Sequence, residues 1–490
     1  MNRIINLLVV SFLILGSYNC SDDFLDRNHP GTMSFDKIYK TKKDFDAALA
    51  GCYSSFRSQA DIMILWGDFP SDNVHLCRYN YTSDWTEIKR HVFTATNGQF
   101  DDFWFNSYTT IQRINLLLEM MSVSTLDDLD KEVITAEAKF LRAYSYFYLL
   151  RMFGGVPLYD RYTDVQDIYD VPRSSVEEVK NLILKDLDEV KNIDSYRSSG
   201  DKAEGRASSI AAKTLLAKTY LWVKDFSSAE TILAEIVQNN GGLDLEELST
   251  LYHPDQPNNK EIIFSINYER VAGFNFPYTT YIIPHTTPSG MIGLIYPNVT
   301  QSAGSGFGMI EPYVVNKFSP EDRRLKFIDS LIFENTGRID ANIFTLKYID
   351  PATTADFFSG ANVIVSRYAD VLLMYAEALN ENGKTSQAYQ YINRVRNRAG
   401  IGDLPSGYSK EQMFQALADE RQKEFIMEGD RWFDLVFRGL TFLKKEMNTY
   451  TPHAYLETNR DIMVRDNCLL FPIPESQLQI KPILTQNPEY

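Results

Sequence analysis

Apolar positions recur at helical spacing along most of this 490-residue chain. In FLRAYSYFYLLRMFGG (140–155), Phe140, Ala143/Tyr144, Phe147 and Leu150/Arg151 share one face, and Gly154-Gly155 with Pro157 ends the run. SSVEEVKNLILKDLDEVKNI (174–193) opens on a serine cap with Glu177 or Glu178 three residues on. It then repeats Val179, Leu182/Ile183, Leu187 and Val190. The same pattern predicts helices over 34–57, 107–122, 130–153, 207–223, 226–239, 367–382, 385–399 and 409–428. Two stretches echo each other: AKTYLWVKDFSSAETIL (217–233) and AEALNENGKTSQAYQYI (376–392) both read helix, polar turn, helix. Alanines at matching places (Ala217 and Ala229, Ala376 and Ala388) let paired helices approach closely, as in tetratricopeptide-type hairpins, although no regular tandem period is present.

The pattern changes over 241–365. Gly, Pro, Tyr and Asn become frequent, with β-like runs EIIFSINY (261–268) and IFTLKYI (343–349). TTPSGMIGLIYPNVTQSAGSGFG (286–308) reads as a long irregular loop, the kind of segment where binding residues concentrate.

At the other extreme, Arg3 precedes an apolar run from Ile4 to Gly16. This run is too short to span a bilayer, which takes about 20 residues, and suits the apolar part of a signal peptide. Hydrophobicity never again runs long enough to span, so the chain is expected to be exported with a soluble mature part. Cys20, followed by Ser21-Asp22-Asp23, stands where bacterial lipoproteins are cut and acylated, and several acyl chains on one residue give lasting anchorage. Residues 1–19 are then the leader and 20–33 a lipidated tether. Tyr18-Asn19 departs from the small residues usual before such a cysteine; ordinary cleavage nearby, leaving a free thiol, is the alternative.

Composition adds exclusions. A net charge of −16 argues against nucleic acid and against a basic patch on anionic lipid. Aromatics reach 13%, more than a core alone usually needs. Cys20, Cys52, Cys77 and Cys468 form no metal-ligand pattern; a Cys52–Cys77 disulfide and two buried thiols both remain open. No cofactor is expected, a structural calcium ion on loop acids being the one open option, since no twelve-residue calcium loop is visible.

Glu420, Glu424 and Glu428 form an i, i+4, i+8 row, with Asp434 beyond. Without a nearby histidine the row does not resemble a di-metal helical site, and Arg396, Arg398, Arg421 and Arg431 can neutralise it, so it reads as scaffold. GSGFG (304–308) lacks the lysine and flanking elements of a phosphate loop, and the acids of TLDDLD and QFDDFW read as surface charge or helix-start acids.

Several blocks, in order, resemble the SusD/RagB-like surface lipoproteins of Gram-negative nutrient-uptake systems. They are CSDDFLD (20–26), FWFNSYTTIQRINLLLE (103–119), AEAKFLRAYSYFYLLRMFGGVPL (136–158) and RYADVLLMYAEALNENGKTSQAYQYINRVRNRAG (367–400). ERQKEFIMEGDRWFDLVFRG (420–439), FPIPESQL (471–478) and QNPEY (486–490) follow. The resemblance implies a mainly α, SusD-like fold: tetratricopeptide-like hairpins packed against an irregular, loop-rich face with a few short strands. Residues 34–240 and 366–490 would form one compact helical unit, with 241–365 on the ligand side. It also implies a non-enzymatic, lipid-anchored cell-surface protein of the outer membrane. Such a protein binds a glycan and passes it to a SusC-like TonB-dependent barrel. The alternatives are a peptide-binding RagB-like member, a secreted glycan-degrading enzyme, or a helical adaptor binding protein alone.

A sugar presents an apolar face and a rim of hydroxyls, which call for flat rings and polar groups. Trp222 and Trp432 lie in scaffold blocks and Trp104 opens a helix, where packing is the expected role. Trp66 and Trp85 flank WGDFPSDNVHLCRYNYTSDW, which also holds Asp72, Asn73, Arg78 and Tyr81. Proteins similar to this one carry an S-D-(D/E/N) triplet beside the binding face; here it is Ser71–Asn73. Tyr278, Tyr281 and Tyr296 of the central segment complete the candidate set.

Overall fold

The computed structural model describes residues 38–75, 83–164, 166–193, 205–257, 259–284, 287–306, 308–335, 338–449 and 464–490. Cys20, the leader, the tether, Cys77, Arg78 and Tyr81 lie outside the described residues.

α1 (Lys42–Ala60) starts at a reciprocal capping box between Thr41 and Asp44. After the short α2 (Met63–Asp68) and α3 (Ser83–Arg90) come the two longest helices, α4 (Gly98–Ser122) and α5 (Asp128–Phe153). α4 begins nine residues before the predicted start because Asn97 caps it, its side chain accepting the Gln99 amide. α6 (Val176–Val190) grows from the Ser175/Glu178 capping box. α7 (Ser209–Trp222) and α8 (Phe226–Gln238) form one hairpin, and α11 (Tyr368–Glu381) and α12 (Thr385–Ala399) another. Between them lie the short α9 (Ser289–Ile295) and α10 (Pro312–Val315); after them come α13 (Lys410–Glu424), α14 (Arg431–Arg438), α15 (Leu440–Thr449) and α16 (Glu475–Ile480). α1 packs on α4 and α5, α5 on α6, α6 on α7, and α8 on α11, so successive helices build one layered array. Ala217, Ala229, Ala376 and Ala388 are all fully buried at the helix contacts.

Strands are few and paired antiparallel. β1 (Val74–His75) meets β3 (Met309–Ile310), β2 (Ile262–Ile266) meets β6 (Val363–Arg367), and β4 (Ile328–Asn335) forms a hairpin with β5 (Arg338–Thr345). The segment expected to be wholly irregular contains α9, folded over its own small core of Ile283, Ile292, Tyr296, Met309 and Phe344. Residues 471–490 clasp the end of α5. The Phe471 amide donates to the Met152 carbonyl at 2.8 Å, and Asn487 Nδ2 donates to the Phe153 and Phe471 carbonyls at 3.1 and 2.6 Å.

The predicted row of glutamates is corrected by the end of α13. Glu420 and Glu424 sit on it, but the helix stops at Glu424 and Glu428 lies in the following turn, so the three do not share one helical face. The turn brings Gly429, at φ +82°, against α2, where a Cβ added to Gly67 would stand 1.8 Å from the Gly429 carbonyl oxygen. Gly67→Ala is therefore expected to destabilise the chain by about 1–3 kcal/mol through overpacking, read as a lower urea midpoint. An unchanged midpoint would contradict this contact.

The carboxylates themselves are tied to cations. Glu420 accepts from Arg324 at 2.6 Å and Arg396 at 3.2 Å, Glu428 from Lys347 at 2.6 Å, and Asp434 from Arg421 at 2.8 Å. Cys52 and Cys468 are free buried thiols, each pushed up to about 12 by burial, so Cys52 takes the buried-thiol option.

Candidate ligand-binding site

Most of the aromatic and polar residues picked as candidates from sequence turn inward. Trp66 is 0% exposed, its ring walled by Trp85 at 5.0 Å, Phe471 at 5.2 Å and Phe100 at 5.4 Å between centroids. Trp85 is buried against Trp66 and Phe69. The physical reason is that α2 is buried on all sides; an element of six residues shows no periodicity to separate core from surface. Asp72 binds Arg431 through both oxygens at 2.7 and 2.8 Å; burial alone would push its carboxyl up, but the charge and hydrogen bonds of Arg431, with the charge of Lys317, hold it well below the usual range. Asn73 donates to Asp68 at 2.7 Å, and Gln422 Nε2 donates to Asp72 and Asn73, at 3.0 Å each. The Ser71–Asn73 triplet thus staples β1 to α13 and α14 and offers no open face. Tyr296 is also fully buried, beneath α9.

Tyr278 and Tyr281 remain half-exposed, with centroids 5.4 Å apart. They end a ladder of rings running from the core through Tyr348 and Phe276, stacked at 5.3 Å, to Tyr278 at 5.8 Å. Val271 and Phe274 stand exposed on the preceding turn.

A second surface was missed from sequence. One face of α4, the 157–168 segment and residues 477–481 enclose a cleft of about 440 Å³. Phe105 is 66% exposed there, and Tyr108 and Tyr162 are half-exposed. The walls are held firmly. Tyr108 donates to the Pro157 carbonyl at 2.9 Å and meets Tyr159 edge-on at 5.5 Å. Asn115 donates to the Tyr159 and Arg161 carbonyls at 2.8 and 3.0 Å. Arg142, paired with Asp186 at 2.7 Å, donates to the Asp160 carbonyl, also at 2.7 Å. Ring plates beside hydrogen-bonding groups on a rigid wall suit a ligand with one apolar face and many hydroxyls.

Polar groups complete the cleft. Gln112 Oε1 accepts the Thr163 amide at 3.2 Å, while its Nε2 is buried without a hydrogen-bond partner. Lys481 is 4% exposed; its Nζ donates to the Tyr159 hydroxyl at 2.8 Å, and burial pushes the amine down to about 8. The one available signal was the pair Phe105 and Tyr108 on the helix-forming FWFNSY stretch. The 157–168 and 477–481 walls are too distant in sequence to be assigned to it. Among the described residues, no group of three or more His, Cys, Asp or Glu side chains is placed to hold a metal ion. No helix among them is long and apolar enough to cross a membrane.

Comparison with known proteins adds kinship to this geometry. Residues 334–490 match the model of the SusD family, and residues 23–221 match a family described as starch-binding, associating with outer membrane. The SusD-like protein P2 of Formosa agariphila is 25% identical, the match covering 98% of each chain. The starch-binding protein SusD of Bacteroides thetaiotaomicron is 23% identical over 72% of each chain. A solved structure described as a laminarin-binding SusD-like protein superposes with a TM-score of 0.74 at 23% identity, covering 92% of this chain and 100% of that one; at this identity the likeness is one of fold. With matched blocks at both ends, a relative aligned over nearly its whole length and the same helical array, this chain belongs to the SusD/RagB-like family.

Proposed function

We propose that this protein is a non-enzymatic receptor that captures a glycan at the cell surface and delivers it to a SusC-like TonB-dependent barrel. The observation that carries the reading is the α4 cleft, where open rings (Phe105, Tyr108, Tyr162) meet hydrogen-bonding side chains on a braced wall. The names of relatives point the same way: one binds starch, another laminarin, and one matched family is described as associating with outer membrane. The acids of the charged row, Glu420, Glu424, Glu428 and Asp434, are tied to cations in the interior, which suits scaffold better than acid–base chemistry. In this reading Cys20 carries the acyl anchor, residues 20–33 are the tether, and Tyr278 and Tyr281 add a second set of rings on the central segment.

Residues 21–490 titrated calorimetrically with a panel of oligosaccharides are expected to bind at least one class. Phe105→Ala should weaken that binding by about 1 kcal/mol, the contribution of one stacked ring, or roughly fivefold, with thermal stability nearly unchanged because the ring is exposed. Failure to bind any saccharide would remove the capture role. Retained affinity in Phe105→Ala would move the site to the tyrosine ladder.

A further inference from the structure

The chain carries 65 Asp and Glu residues against 49 Lys and Arg, yet none of the described residues lining the α4 cleft is acidic, while Arg113 and Lys481 both line it. On the same helix Asp101 accepts from Ser476 and Gln477. Lys481 is the more telling cation. Its side chain is nearly enclosed, its ammonium donates to one neutral hydroxyl, and Asp170 acts on it only from a distance, without forming an ion pair. Burying an ammonium without an anion is unfavourable; Lys347 meets Glu428 and Lys218 meets Asp370 at 2.6 Å each, while buried Lys89 donates to the Ser71 carbonyl at 2.6 Å. A second donor lines the same cleft from α4: Gln112 Nε2, buried and unpartnered.

We infer that the cleft selects an acidic saccharide, one whose carboxylate binds the Lys481 ammonium and the Gln112 amide while its sugar rings stack on Phe105 and Tyr162. Arg113, exposed at the rim, draws the anion in. This deepens the glycan-capture reading and rests on it. A neutral glycan would leave the ammonium as it now stands, whereas a uronate supplies the missing charge and accepts from both donors.

The test compares a uronic-acid oligosaccharide with its carboxyl-reduced, neutral counterpart, by calorimetry on residues 21–490, with a sulfated oligosaccharide as a third arm. The acid form is expected to bind about tenfold tighter than the reduced form, the effect of one charge-assisted hydrogen bond. Lys481→Met should shrink that ratio toward one, and Arg113→Met, at an exposed position, should lower it with the fold intact. Equal affinity for the acid and reduced forms would overturn the inference and leave glycan capture standing. Preference for the sulfated sugar alone would overturn the carboxylate assignment. A ratio untouched by both substitutions would place the anion site elsewhere, and no binding in any arm would remove both readings.

Discussion

Arg367→Met is expected to cost about 3–5 kcal/mol of folding stability, seen as a large fall in the urea midpoint. Arg367 is buried at the start of α11, where Nη1 donates to Glu261 at 2.7 Å and Glu424 at 2.6 Å, and Nε and Nη2 clamp Glu428 at 2.8 and 2.9 Å. Three carboxylates from two distant parts of the chain, Glu261 and the Glu424/Glu428 pair, converge on one guanidinium. Arg324, Arg398 and Lys347 remain nearby in the variant, but none replaces the bond between Arg367 and Glu428 Oε2. Burial alone would push Glu424 up; Arg398, Arg367 and Arg324 instead hold it well below the usual carboxylate range. Stability from such a lowered acid is present above its unfolded value near 4.5 and is lost as pH falls through the folded value. The gap between wild type and Arg367→Met should therefore narrow in acid, as the stranded carboxylates of the variant take up protons first. A gap of constant size from neutral to acidic pH would mean that lost packing, and not stranded charge, sets the cost.

Trp66→Ala is the second large effect, about 3–5 kcal/mol for an enclosed ring. Trp66 touches Trp85, Phe100, Phe103 and Phe471, so its removal opens a cavity where α2, α3, α4 and the C-terminal segment meet. Trp66→Phe, which keeps most of the volume, should recover much of the loss. The measurement also separates roles: a ligand-contacting tryptophan would lose affinity and leave the urea midpoint in place. That outcome would reverse the interior assignment.

What the sequence made legible follows from local physics. The Ser175/Glu178 box, the Gly154 stop and the alanine echo at 217/229 and 376/388 depend only on neighbours within a few residues, and all are present in the fold. The scaffold role of the charged rows was also readable, because four arginines stood close by in sequence. Their further partners Arg324, Lys347 and Arg367 were not, since nothing local links them to α13. The site failed for a related reason. An aromatic loop and a short buried helix look alike when neither has enough residues to show a period, so Trp66, Asp72, Asn73 and Trp85 were read outward when they point inward. The α4 cleft needed residues near 105, 160 and 480 to be seen together.

That joining of distant parts reaches into how the polypeptide acquires its shape. The carbonyl closing α5 at Phe153 is capped by Asn487, 334 positions later, and Arg173 meets the same asparagine. During synthesis the amino-terminal half emerges long before its clasp, so the first helices can form and associate without being locked. Final closure waits on a very long-range encounter, which is slow by its nature, and the chain stays threadable for that interval.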